Sequence, residues 1–169
     1  MNSIVSDARK QKGPYVVIEC PEKIPCDPCV DACAKEAISI KGSMIELPEV
    51  DYEKCNGCLL CIPSCPGLAI FVVDETPKDY SIVYIPYEFL PQPKKGDTAI
   101  GLDLEGKERC EVKILKILAI KFWPTSDNSK PCSNFKYVSP IISAFVIFQL
   151  LTTQFNNLFQ NRFLFQNRH

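Results

Sequence analysis

The chain has 169 residues, room for one domain with an extension or for two small domains. Nineteen Lys/Arg against twenty Asp/Glu leave a formal net charge of −1, so no basic surplus points to nucleic acid. Seven glycines build neither a G-x-G-x-x-G nor a P-loop, and the single histidine, His169, is terminal, which excludes a Ser/His/Asp set.

Residues 1–14 are polar and end at Gly13-Pro14, which predicts a flexible arm or one helical turn. Tyr15-Val-Val-Ile18 reads as a strand leading to Cys20, and Cys26, Cys29 and Cys33 follow on a tight loop. Ile38–Ile40 and Met44–Leu47 are expected as a strand and its return, turning at Lys41-Gly42. Asp51-Tyr-Glu-Lys leads into Cys55, Cys58, Cys61 and Cys65, and Leu68–Val73 is a further strand. Residues 74–79 read as a linker. Tyr80–Ile85, Ala99–Leu104 and Arg109–Leu118 are β-rich, the last two flanking the turn signal Glu105-Gly106-Lys107. They predict a small antiparallel sheet or partly open barrel over residues 76–118, either a cover for the preceding domain, a partner contact or a plain stabilising extension. From residue 119 the acids nearly vanish and Phe, Asn and Gln repeat, as in Phe159-Gln-Asn-Arg162 and Phe165-Gln-Asn-Arg168. The apolar stretch Ile141–Leu151 is too short to span a bilayer as a helix. Residues 119–169 are expected as a poorly ordered tail without chemistry, membrane association being the lesser alternative.

The thiols carry the signal. Cys55-Asn-Gly-Cys58-Leu-Leu-Cys61-Ile-Pro-Ser-Cys65-Pro66 is a C-x2-C-x2-C-x3-C-P run. Upstream, Cys26, Cys29 and Cys33 keep the C-x2-C-x3-C part, while five residues separate Cys20 from Cys26. Aligning Cys26 with Cys58 gives an offset of 32 that continues past the thiols, setting Ala37-Ile38 over Ala69-Ile70. The pattern is an internal repeat of one short unit: a cysteine loop, a helical turn and an apolar strand. Zinc would favour pairs of C-x2-C farther apart, often with histidine, and disulfides need an oxidising compartment. Three thiols in each eight-residue arc favour an iron–sulfur cluster over both. Cys110 and Cys132 lie outside the two sets and read as small buried or surface cysteines.

On these residues the segment 15–75 resembles a two-cluster bacterial-type ferredoxin domain. The resemblance implies an α+β, pseudo-twofold fold of two β-α-β-like repeats, here followed by the small antiparallel β extension. It also implies two [4Fe–4S] clusters with crossed ligands: Cys20, Cys26, Cys29 and Cys65 for one, Cys55, Cys58, Cys61 and Cys33 for the other. The chain departs from the pattern in its first motif. Three extra residues fall within Glu22-Lys-Ile-Pro25, Ala34 stands where a proline is expected, and Pro28 lacks an N–H that could reach cluster sulfur. Without Cys20 the first site would keep three thiolates, which suits a [3Fe–4S] cluster.

The function implied is electron transfer, with no catalytic residue, by a carrier or non-catalytic subunit serving a redox partner. Residues 15–118 resemble more narrowly the small iron–sulfur subunits of flavin-dependent amine or amino-acid dehydrogenases, which implies a flavoprotein dehydrogenase as that partner. The alternative is a binding or sensory module in which the clusters are structural. Residues 13–75 carry eleven acids against four bases, so this domain is expected to dock on a basic patch. The N-terminus lacks an apolar core of signal-peptide length, which leads to the expectation of a cytoplasmic protein.

Overall fold

A computed structural model describes residues 5–87, 91–103, 107–120, 143–151 and 163–166. Three single-turn helices, α1 (Asp7–Lys10), α2 (Pro28–Asp31) and α3 (Cys61–Ser64), punctuate a chain otherwise built of strands. In the first half, β1 (Tyr15–Ile18) pairs antiparallel with β4 (Ile70–Asp74), Val16 opposite Val72. The other pair is β2 (Ile38–Ser39) with β3 (Glu49–Val50), Ile38 opposite Val50. The pairing is thus exchanged: the strand entering the first cysteine loop lies beside the strand leaving the second, and the reverse.

The return strand expected at Met44–Leu47 is instead β3, beginning after Pro48. Met44 and Ile45 are exposed on a turn closed by the Glu46 N–H donating to the Ser43 carbonyl. The later register lets Ile38 and Val50 share a core while Lys41 and Glu49 pair at the surface.

The second half joins the same sheet. β5 (Tyr80–Tyr87), β6 (Thr98–Asp103), β7 (Glu108–Ile120), β8 (Ser143–Leu151) and β9 (Phe163–Gln166) complete the antiparallel order β1-β4-β5-β8-β7-β6-β9. Three pieces of the segment expected to be poorly ordered, the end of β7 from Ala119, β8 and β9, are therefore strands. The physical reason is backbone demand. β8 fills the slot between β5 and β7, from Tyr80 opposite Leu151 to Tyr87 opposite Ala144, and supplies hydrogen bonds that two bare edges would otherwise lack. The remainder of the expected tail, Cys132 and the turn residues Glu105 and Gly106 lie outside the described residues.

Alternation sends side chains of β1, β4 and β5 to two cores. One face carries Tyr15, Val17, Val73, Val83, Ile85 and Tyr87 against Ala99, Cys110, Val112 and Ile114 of β6 and β7, so the sheet curls until those strands meet. Cys110 belongs to this core, its thiol pushed up to about 11 by burial. The other face carries Val16, Ile70 and Val72 against Ile38, Ile62, Cys29 and Cys61, with Tyr84 and Leu118 at its margin. β7 serves both cores because its register shifts between Ile114 and Lys116. One extra residue changes the alternation, so Ile114 and Ile117 pack in the first core and Leu118 against the second.

The N-terminal arm is pinned rather than flexible over residues 5–14. Ser6 caps α1, its hydroxyl accepting from the Arg9 N–H, and Arg9 is buried at 4 % exposure. Its guanidinium donates to the carbonyls of Tyr52, Gly13, Pro14 and Cys55 at 2.6–3.0 Å. The arm is thereby fastened to the loop that opens the second cysteine run. Lys10 adds a contact to Glu75 at 3.4 Å, and the Tyr15 hydroxyl donates to the same carboxylate at 2.6 Å.

Candidate metal centre

Each cysteine loop ends in the same local device. α2 and α3 are single turns, and the residue after each turn region, Glu36 or Leu68, sits in the left-handed region at φ 50° and 52°. That conformation costs a side-chain-bearing residue about 1 kcal/mol and reverses the chain. The next N–H then swings back onto sulfur: Ala37 donates to Cys33 Sγ at 3.2 Å and Ala69 to Cys65 Sγ at 3.4 Å. The offset of 32 read from the sequence is thus an equivalence of turns and of N–H···S bonds. An N–H aimed at sulfur is a donor that a metal-bound thiolate can accept from.

The eight thiols gather in two hollows. Cys20, Cys26, Cys29 and Cys65 line one, walled by Ile18, Ile24, Pro28, Pro66 and Ile70. Cys33, Cys55, Cys58 and Cys61 line the other, walled by Val16, Ala37, Ile38, Leu59 and Val72. The two hollows are similar in size, and both are partly open to solvent. Each draws one thiol from the opposite loop. Burial pushes the Cys29 thiol up to about 11, and the neighbouring Cys65 pushes it further; Cys26 is raised by burial, then by Cys65 and Cys20. In the second hollow Cys61 is pushed up to about 12 by burial, then by Cys55, Cys58 and Cys33. Crowded thiolates repel one another unless a cation neutralises them, which is the electrostatic condition of a metal site.

The thiols of each hollow stand wider apart than the donors of a single-ion site. A single zinc needs four donors about 2–2.3 Å from one point. Among the described residues no three His, Cys, Asp or Glu converge closely enough to hold one metal ion. Four thiols spread around an apolar hollow suit a cluster that takes each thiolate at a different corner. None of the nine described cysteines is in a disulfide.

Access differs between positions. Cys29 and Cys61 are buried, Cys58 is exposed, and the other five set members are half-buried. Cys20 also borders an adjoining open cleft formed with Lys23, Lys41, Glu46 and Glu49, in which Lys23 pairs with Glu46 at 3.1 Å. Glu22 and Ile24 of the inserted stretch therefore line the first hollow without removing Cys20 from it.

Gly57, between Cys55 and Cys58, takes a positive φ of 64° and lines the downstream hollow with its backbone. A Cβ there would lie 2.7 Å from the C, Cβ and O atoms of Pro14. Gly57→Ala is expected to cost about 2–4 kcal/mol, from left-handed strain plus overpacking against backbone. The check is a thermal or denaturant melt followed by visible absorbance. An unshifted midpoint would mean that the arm yields freely. Arg9 is the residue that sequence reasoning missed, because a lone arginine in a polar arm looks like any surface charge.

Comparison with known proteins places this site. A family model described as a 4Fe-4S dicluster domain matches residues 24–69, which hold seven of the eight thiols and leave out Cys20. A ferredoxin of Methanothermococcus thermolithotrophicus is 36 % identical over 70 residues, covering 41 % of this chain and 97 % of that protein. The ferredoxin-type protein NapF of Haemophilus influenzae is 39 % identical over 54 residues, 31 % of either chain, so the likeness takes in about a third of that relative. No solved structure matches the chain. The site defines an iron–sulfur protein of electron transport with a 4Fe-4S domain. The chain belongs to the ferredoxin family.

Proposed function

We propose that the chain carries two [4Fe–4S] clusters in a pseudo-twofold α+β ferredoxin fold and passes single electrons to or from a flavoprotein dehydrogenase. Cys20, Cys26, Cys29 and Cys65 would hold the upstream cluster, and Cys33, Cys55, Cys58 and Cys61 the downstream one. The observation that carries this reading is the sorting of eight thiols into two apolar hollows, each completed by a thiol from the other loop.

Bound clusters supply the one-electron chemistry. The chain's residues do the rest. The Ala37 and Ala69 N–H groups lower the negative charge density on Cys33 and Cys65, which favours the reduced state. Ile62, Ile70 and Val72, essentially fully buried, keep water from the sulfur atoms. Exposed Cys58 with Leu60, 51 % exposed beside it, offers a short exit for electrons at the surface. Acidic residues around the domain suit a partner with a basic docking face, and the choice of a flavoprotein rests on the resemblance of residues 15–118 to small iron–sulfur subunits of flavin-dependent dehydrogenases. Unpaired thiols suit a reducing compartment such as the cytoplasm. Among the described residues no helix is long and apolar enough to cross a membrane.

The test is anaerobic purification with iron and sulfide analysis, EPR and stopped-flow mixing with a reduced flavin-dependent amine or amino-acid dehydrogenase. About eight irons per chain, a dithionite-reducible EPR signal and rapid flavin reoxidation are expected. About seven irons would make the upstream site a three-iron one, and about one or two would sink the two-cluster reading. Reducible clusters that leave every such flavin reduced would remove the flavoprotein partner alone.

A further inference from the structure

Arg9 is a cation taken out of water. It is 4 % exposed, and four of its five N–H donors are given to four backbone carbonyls, with the guanidinium carbon 5.8 Å from the centre of the Tyr15 ring. None of the ion pairs among the described residues includes it. The nearby carboxylates are otherwise engaged, Asp7 and Glu75 with Lys10 and Glu75 also with Tyr15. Carbonyl dipoles offset only part of the cost of burying a charge, and an anion within reach would offset more.

The hydrogen bonds show which thiol set the charge is tied to. The shortest bond of the guanidinium, 2.6 Å, goes to the carbonyl of Cys55, and another of 2.7 Å goes to Tyr52 on the approach to it. Cys55 belongs to the downstream thiol set. No residue of the upstream set accepts a hydrogen bond from Arg9. The buried charge is thus tied to the backbone of one thiol set and not the other.

We propose that Arg9 sets the order of the two reduction potentials, making the downstream site the more easily reduced. The inference rests on the ligand sets proposed above. A cubane with four thiolates goes from roughly −2 to −3 when it takes one electron from an external reductant, with no bond formed or broken and no proton required. A fixed positive charge in a poorly screened site stabilises the more negative member of that couple. Arg9 acts on the downstream couple in this way. Pro28, which lacks an N–H in the upstream loop, works in the same direction by leaving the upstream sulfur with fewer donors. Electrons entering at either end would then rest beside exposed Cys58, at the surface where a partner can collect them.

The experiment is an anaerobic EPR-monitored redox titration of the full-length cluster-loaded protein and of Arg9→Gln and Arg9→Lys. The signal lost in Cys33→Ser marks the downstream couple, and the one lost in Cys65→Ser the upstream couple. In Arg9→Gln the reduced-to-oxidised ratio of the downstream couple at a fixed potential is expected to fall about tenfold, which is 59 mV for one electron. The upstream couple is expected to move much less, and Arg9→Lys, which keeps the charge but not the fork of donors, to restore most of the shift. A purely structural Arg9 would lower stability in both variants and leave both potentials in place, and that result overturns the proposal. Should Arg9→Gln fail to keep its clusters, the wild-type titration decides: a downstream potential equal to or below the upstream one overturns it. Two clusters present with unshifted potentials would reject Arg9 alone, whereas a chain without two clusters would reject the ligand sets as well.

Discussion

Cys65→Ser is expected to destroy or degrade the upstream cluster while sparing the downstream one, and Cys33→Ser to do the reverse. Each thiol lies in the hollow of the other loop: Cys65 with Cys20, Cys26 and Cys29, Cys33 with Cys55, Cys58 and Cys61. The electrostatics follow the same sorting. After burial, Cys65 is the first influence raising Cys29, and Cys33 is among those raising Cys61. A serine removes a thiolate donor without removing volume, so packing changes little and the loss falls on the metal. Iron is expected to drop from about eight per chain to about seven where a three-iron site survives, and to about four where the cluster is lost. Iron analysis with EPR of both variants reads the outcome directly. Damage confined to each cysteine's own loop would show that the loops hold their clusters independently and would end the crossed assignment. Cys20→Ser is expected to be the mildest upstream lesion, because Cys20 is half-buried beside the open cleft and lies outside the matched family segment.

What the sequence revealed and what it hid divide along physical lines. The cysteine spacing and the offset of 32 were legible because a cluster loop needs its donors at fixed intervals. They set Ala37 over Ala69 as equivalent positions, but that each N–H turns back onto a cysteine sulfur was not legible. β1 was legible as a run of β-branched residues ending at a cysteine. The return strand was not: Met44-Ile-Glu-Leu47 looks more like a strand than Glu49-Val50 does, but the exposed turn takes the apolar residues and the pairing waits for Pro48 to pass. Position in a sheet was hidden for a different reason. Nothing local in Ser143–Leu151 says that it lies between β5 and β7, since that follows from two distant strands needing a partner. Arg9 was hidden because its burial depends on Tyr52 and Cys55, more than forty residues away.

Removing the clusters is expected to unravel one half of the molecule and leave the other folded. The core on the cluster side consists of seven buried residues, two of which are Cys29 and Cys61, and its helices are single turns. So few apolar side chains cannot offset the conformational entropy of ordering some fifty residues, at about 1 kcal/mol or more for each. The metal must supply the difference. The opposite core has ten buried residues drawn from five strands and contains no cluster ligand. Hydrogen exchange after anaerobic chelation should therefore lose protection across residues 20–66 and retain it in Val83–Tyr87 and Cys110–Ile114. Uniform retention would mean that the thiol hollows stand without metal, and uniform loss that the two cores fold as one. Reassembly carries a definite sign with pH. Burial holds Cys29 at about 11 and Cys61 at about 12 wherever the hollows form before metal enters, and in the unravelled chain the thiols keep their ordinary value, so in either state they are largely protonated at neutral pH. The clusters bind thiolates, so each ligand gives up its proton on assembly and acid opposes it. Reconstitution yield is expected to climb as pH is raised from about 6.5 to about 8.5, below the pH near 9 at which ionising thiols in the unfolded chain begin to favour unfolding. A yield independent of pH over that span would mean that proton loss from the thiols does not limit assembly.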